Sequence, residues 1–197
     1  MCTSMSEFIL ALISAALINN LVLHQGLAID PVLNASRESD RRRLHALGLS
    51  TLALLVVTCN LGRLIYLYAL QPLQLEYLRL FVFLPLCIVL IEPLLSLLSR
   101  AVPTLPFDGL MPLLLSNVAL LGLTLQVTEG GYGAVQTLAW SLGSGLGFWL
   151  ALGLFADLLQ RSDNEAIAVS LRGWPIALIG AGVMALAFLG FNGLFTS

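Results

Sequence analysis

Lysine is absent from this sequence, and charge of either sign is scarce: nine arginines and eleven acidic residues make up 10% of the 197 positions. Soluble domains carry about a quarter charged residues, so a soluble globular fold is excluded. Cysteine occurs three times, at Cys2, Cys59 and Cys87, too few and too scattered for a disulfide framework or a CxxC metal site. Cys59 and Cys87 fall inside apolar runs, where a thiol behaves as a small hydrophobe. No His/Cys/Asp cluster, phosphate-binding glycine loop, nucleophile elbow or dinucleotide fingerprint is present, so no catalytic and no metal-ligating residue is expected. Nucleic acid is not an expected partner; membrane lipid is. The opening MCTSMSE lacks the basic segment of a cleavable signal, so the first apolar run is expected to stay as a span.

What fills the chain instead is apolar sequence, 58% of residues with a mean hydropathy of +0.95. Six runs stand out, at 8–23, 47–70, 77–98, 110–125, 134–159 and 174–195. A straight span needs about 20 apolar residues for about 30 Å of hydrocarbon. The second, third, fifth and sixth reach that length. The first and fourth are short, and mixed sequence follows each, at 25–31 and 126–133. Both short runs also carry asparagine, Asn19 and Asn20 in one and Asn117 in the other, almost half a chain apart. A carboxamide at membrane depth caps a broken helix, bonds a neighbouring helix, or lines a site. Short interrupted segments in matching places of two halves mark an inverted repeat with its working site near the midplane. The short runs also suit ordinary helices in a thin bilayer, and hydropathy alone leaves the two open. The expected fold is an all-α integral membrane protein, a single domain over 1–197. It has six transmembrane helices as two inverted three-helix repeats, approximately 1–100 and 101–197, whose first spans are short or broken.

Arginine placement predicts orientation. Arg37, Arg41, Arg42 and Arg43 lie in the first connection, Arg100 in the third, and Arg161 and Arg172 in the fifth; the even connections and both ends hold none. The positive-inside rule puts the odd connections in the cytoplasm and both termini in the periplasm. Gly143 and Gly147 form a GxxxG on the fifth run, which allows close helix approach. Prolines at 85 and 93 predict kinks in the third. Among ionisable groups at depth, Arg63 is expected to snorkel outward or pair with a carboxylate of another helix, and Asp157 to sit at the interface. Glu92, after an unbroken apolar stretch and before Pro93, is a possible ion or proton site.

INNLVL at 18–23, PLQLEYLR at 72–79, LPLLLSNVALLG taken loosely across 110–122 and PIALIGAGVMALAFLGFNGL at 175–194 resemble the A subunit of bacterial Rnf electron-transport complexes. The same fold serves the D and E subunits of the sodium-pumping NADH:quinone reductase, and the double asparagine of INNLVL favours the A type over the E type. The resemblance runs from the first run to the last. It implies a six-span inverted-repeat subunit of the bacterial inner membrane, paired with a homologous E-type sister of opposite topology and with flavin and iron–sulfur subunits. It also implies a [2Fe–2S] cluster held between the sisters. Each gives two cysteines, one in an L-G-L-C-P context after the first asparagine motif and one in an N-C-A context of the fourth span.

This chain departs from that pattern at both places. Asp30 stands where the first cysteine would, in Ala28–Ile29–Asp30–Pro31, and Val118 stands at the second, in Asn117–Val118–Ala119. Valine cannot ligate iron, and carboxylate is a poorer cluster ligand than thiolate. The expectation is that the family fold is kept, that this chain alone binds no cofactor, and that the shared cluster is lost or held by the sister. It would then be a non-catalytic membrane subunit of an Rnf-type complex coupling electron transfer between NADH and ferredoxin to Na⁺ or H⁺ movement. The rival is a small inverted-repeat transporter or channel in which Asn19, Asn20 and Asn117 bind solute or ion.

Overall fold

The computed structural model describes residues 5–36, 40–162 and 172–190, and among them the chain is all-helical, with no strand. Cys2, Arg37 and the end of the last apolar run beyond residue 190 lie outside the described residues. Helix α1 (Met5–Ile13) continues through a π-turn (Ser14–Ile18), and α2 spans Ile29–Ser36. Next, α3 (Arg41–Ile65) ends in a second π-turn (Tyr66–Leu70), and a 3-10 turn (Glu76–Leu78) leads into α4 (Arg79–Ala101). The second half holds α5 (Met111–Leu115), α6 (Val118–Glu129), α7 (Ala134–Ser162) and α8 (Trp174–Leu189).

Among the described residues four runs are long and apolar enough to cross a membrane: Arg41–Leu70, Glu76–Ala101, Met111–Glu129 and Ala134–Ser162. The helices Met5–Ile18 and Trp174–Leu189 are apolar but shorter. The fourth run, expected to be short, reaches 19 residues because helix continues through 126–129. Gln126, Thr128 and Glu129 are polar yet compatible with helix, and what ends it is the glycine pair that follows, with Gly131 at φ +61°. Likewise α2 starts at Ile29, inside sequence whose mixed character suggested a loop.

The long helices α3 and α7 pack together most extensively. Leu47, Leu54 and Leu55 of α3 share one buried core with Phe148, Leu152 and Phe155 of α7. Close approach is a consequence of glycine: a Cβ on Gly145 would fall 2.8 Å from Leu52 Cα. Helix α4 lies on α3 and α6 through one stripe, Phe83, Cys87 and Ile91, and stays helical through Pro85 and Pro93. Asp40 caps α3 by accepting from the Arg42 amide at 3.0 Å. Asp157 is exposed and pairs with Arg41 at 3.0 Å, tying the start of α3 to the end of α7. Among the described residues Arg63 has no carboxylate partner; its Nε donates to the Tyr132 carbonyl at 2.9 Å. The turn between α6 and α7 presents that carbonyl, while the nearby Glu129 is engaged by Arg79 at 3.3 Å.

Candidate functional site

Both short segments are interrupted helices, and an asparagine stands at each interruption. In the first, the π-turn closes as the Asn19 amide donates to Ser14 O at 2.7 Å. The Asn19 side chain makes one long contact, to Ser14 Oγ at 3.4 Å. Asn20 is fully buried. Its Nδ2 donates to Ala16 O and to Gly147 O, each at 2.9 Å. Its Oδ1 accepts from the amides of Val22 at 3.0 Å and Leu23 at 3.3 Å. Two donors and two lone pairs are all that a carboxamide has, so every polar valence of Asn20 is used on backbone. The Ala16 carbonyl and the Val22 and Leu23 amides are groups that a helix leaves open when it stops, and hydrocarbon could not satisfy them; the Gly147 carbonyl, inside continuous α7, takes a second bond.

Gly147 makes this possible. A Cβ there would lie 2.6 Å from Ala16 O and 2.9 Å from Asn20 Nδ2, and one on Gly143 would run into the Leu12 carbonyl. The GxxxG therefore lets the end of α1 lie directly on the backbone of α7. Past Asn20 the chain turns through Gly26 (φ +68°) and Ala28 (φ +61°) before α2 begins.

The second interruption is tighter. Only Ser116 and Asn117 separate α5 from α6. Asn117 is the N-cap, its Oδ1 accepting from the Ala119 amide at 3.1 Å. Its Nδ2 reaches Thr51 Oγ1 of α3 at 3.4 Å. The two carboxamides are thus held by different helices, Asn20 by α7 and Asn117 by α3. What joins the two broken segments is the loop after Asn20: Leu27 packs where a Cβ on Gly122 would sit, 2.7 Å from its Cδ1, and Gln25 Nε2 reaches Gln126 Oε1 at 3.4 Å.

A cleft of about 380 Å³ opens beside the first interruption, walled by Val22, Ile29, Phe155, Leu178 and Met184, with His24 and Gln25 at its polar edge. Glu92 does not join this region; it is exposed on α4.

The two positions that the resemblance assigns to cluster ligands both face outward. Asp30 is exposed in the first turn of α2, where its carboxylate and its carbonyl each accept from Asn34 Nδ2 at 3.0 Å. Val118, the first residue of α6, is 56% exposed. One offers a carboxylate already bonded within its own helix and the other offers no donor atom, so the residues present do not fit an iron–sulfur cluster. The buried thiols lie elsewhere, between α3, α4 and α6, with Cys59 Sγ 3.7 Å from Thr124 Oγ1. Among the described residues no group of three His, Cys, Asp or Glu is placed to hold a metal.

The sequence pointed to the asparagines but not to their partners. Thr51 is one of two threonines on its helix and carries no signal of its own. Gly147 was marked by the GxxxG as a close-approach position, though not as the acceptor for Asn20.

Comparison with known proteins places this architecture. Residues 8–195 match the family described as Rnf-Nqr subunit, membrane protein. The A subunit of the ion-translocating oxidoreductase complex of Syntrophotalea carbinolica is 35% identical over 193 residues, covering 96% of this chain and 98% of that protein. The protein of the same name from Pseudomonas aeruginosa is 36% identical over the same shares. The A subunit of the Na(+)-translocating ferredoxin:NAD(+) oxidoreductase complex of Acetobacterium woodii is 32% identical, over 94% of this chain and 97% of its own length.

Proposed function

The chain belongs to the Rnf-Nqr family of membrane subunits, and we propose that it serves as the A-type membrane subunit of an ion-translocating oxidoreductase complex. The observation that carries this reading is the near end-to-end match to relatives named as the A subunits of such complexes. In this reading the chain is one component of an oxidoreductase that couples NADH/ferredoxin electron transfer to Na⁺ or H⁺ movement. It is a multi-pass protein of the bacterial inner membrane with both termini on the periplasmic side, in keeping with the arginine distribution. Six spans in two inverted halves are the proposed membrane arrangement. A homologous E-type sister of opposite topology is its proposed neighbour, beside the flavin and iron–sulfur subunits.

Its own part is scaffolding rather than redox chemistry. Asp30 and Val118 supply no thiolate, so no step of electron transfer is assigned to them, and the chain expressed alone is proposed to bind no cluster. An absorbance or paramagnetic-resonance signature of a [2Fe–2S] centre in the isolated chain would overturn that assignment. The asparagines are proposed to hold the two interruptions near the midplane.

The transporter reading is weakened by the same geometry. Asn20 has no valence left for a solute, and the adjacent cleft is apolar apart from its edge. The test is affinity purification from native membranes with identification of co-purifying chains. Recovery with flavin and iron–sulfur subunits and NADH-linked electron transfer is expected; recovery as a solitary protein with solute uptake would reverse the assignment.

A further inference from the structure

Helix α4 is the least covered of the four long apolar runs. Only 17% of its most apolar stretch is buried, against 44% or more in the other three. Its covered stripe is Phe83, Cys87 and Ile91. Beside it Leu90, Leu94, Leu95 and Leu98 are half-buried, and Phe81, Leu84, Ile88 and Val89 are exposed. Those side chains would suit lipid, but two features on the same side would not.

The first is Glu92, exposed on the side of α4 away from the covered stripe. It lies eight residues before Arg100, about 12 Å along the helix axis, too far for a glutamate to reach the nearer end of the span by bending along the surface. The second is a backbone carbonyl. Pro93 has no N–H, so the Val89 carbonyl one turn earlier lacks its helical donor. A carboxylate and a freed carbonyl, three residues apart in the same helix, are thus both acceptors on the exposed part of a largely apolar helix. Lipid chains offer neither a positive charge nor a hydrogen-bond donor.

On this ground we propose that the exposed face of α4 seats a transmembrane helix of another subunit that carries an arginine or lysine at the depth of Glu92. Charge selects this occupant. A second copy of the chain, packed through the same face about an axis normal to the membrane, would set Glu92 against Glu92, and like charges repel there. A cationic side chain from a different helix satisfies the carboxylate and the Val89 carbonyl together, and Arg is well suited to bridging two acceptors. The inference rests on the reading of the chain as a subunit of a membrane complex.

The test uses the whole complex, purified through a tag on a soluble subunit. A photo-crosslinking substitution, Val89→benzoylphenylalanine, should join this chain to one other membrane subunit. Glu92→Arg should lower co-purification at least about tenfold, with the chain still present in membranes. A carboxylate in place of the cation on the crosslinked helix should restore the complex to Glu92→Arg. Crosslinks only to lipid, or to a second copy of this chain, would overturn the proposal, as would full assembly of Glu92→Arg. If the unaltered chain co-purifies with no other subunit, the complex reading fails as well. If it co-purifies normally and only the α4 crosslink and charge effects are missing, the failure belongs to this face alone.

Discussion

At the first interruption the chain leaves the helix for residues 19–28; at the second it leaves for Ser116 and Asn117 alone. Both are marked by asparagine, yet the two side chains do unequal work. Asn20 makes four hydrogen bonds to backbone, one of them to a carbonyl on α7. Asn117 makes one capping bond and one long contact to a hydroxyl. The difference follows from the width of the gap. A wide gap strands several N–H and C=O groups, which one carboxamide must gather; a two-residue gap leaves the helix little to repair. Similar residues in matching places of two halves therefore need not carry equal energy.

The largest effect is expected at the first gap. Asn20→Leu strands the Val22 and Leu23 amides, takes the side-chain donor from the Ala16 carbonyl, and forces a branched side chain against the backbone of α7. A loss on the order of 3 kcal/mol or more is expected, read as a collapse in folded protein recovered from membranes. Recovery near the level of the unaltered chain would mean that Asn20 does not hold the gap.

Gly147→Ala approaches the same point from the other side. The added methyl would lie 2.6 Å from Ala16 O, so α1 must move off α7, at about 1–3 kcal/mol. Thermal unfolding in detergent should show it, together with a stronger effect than Gly153→Ala, whose Cβ meets nothing within 4 Å. Equal effects from the two substitutions would remove the close approach from the account.

Smaller still is the second gap. Asn117→Ala deletes an N-cap, about 1 kcal/mol, and Asn117→Asp should recover most of it because the capping acceptor is kept. If Asn117→Ala proves as damaging as Asn20→Leu, the inequality between the two gaps is wrong.

The last check asks nothing of stability. The gaps belong to inverted halves only if the segments that carry them are entered from opposite sides of the membrane. Cysteines placed by Met5→Cys, at the start of α1, and by Thr104→Cys, before α5, are both at exposed positions and should react with an impermeant thiol reagent from opposite faces. Labelling from the same face would leave two gaps without an inversion.

Much of this arrangement is readable in the letters, and the exceptions share a cause. The long runs at 47–70, 77–98 and 134–159 fall within helices. The helical stretch at 126–129 was missed because polarity was taken as the end of a helix, when glycine ends it. Arg63 was expected to snorkel outward or to pair with a carboxylate, and its Nε donates to the Tyr132 carbonyl, since sequence shows which side chains are charged but not which backbone groups a turn exposes. The exposure of Asp30 and Val118 was likewise invisible: their identity rules on ligand chemistry, but the direction in which they face depends on how α2 and α6 are set into the bundle.

Composition alone determined that this chain lives in a membrane as helices, because a mean hydropathy of +0.95 with 10% charge leaves no soluble alternative. Identity at positions 30 and 118 determined that neither residue offers a thiolate. What only the tertiary structure decided is how each asparagine is used. Hydrogen bonds depend on distance and direction, and the Gly147 carbonyl, 127 residues from Asn20 in sequence, comes to 2.9 Å only because glycines let α1 settle onto α7. The same holds for Glu92, a carboxylate that the letters place at membrane depth and that only packing shows to face away from its own bundle.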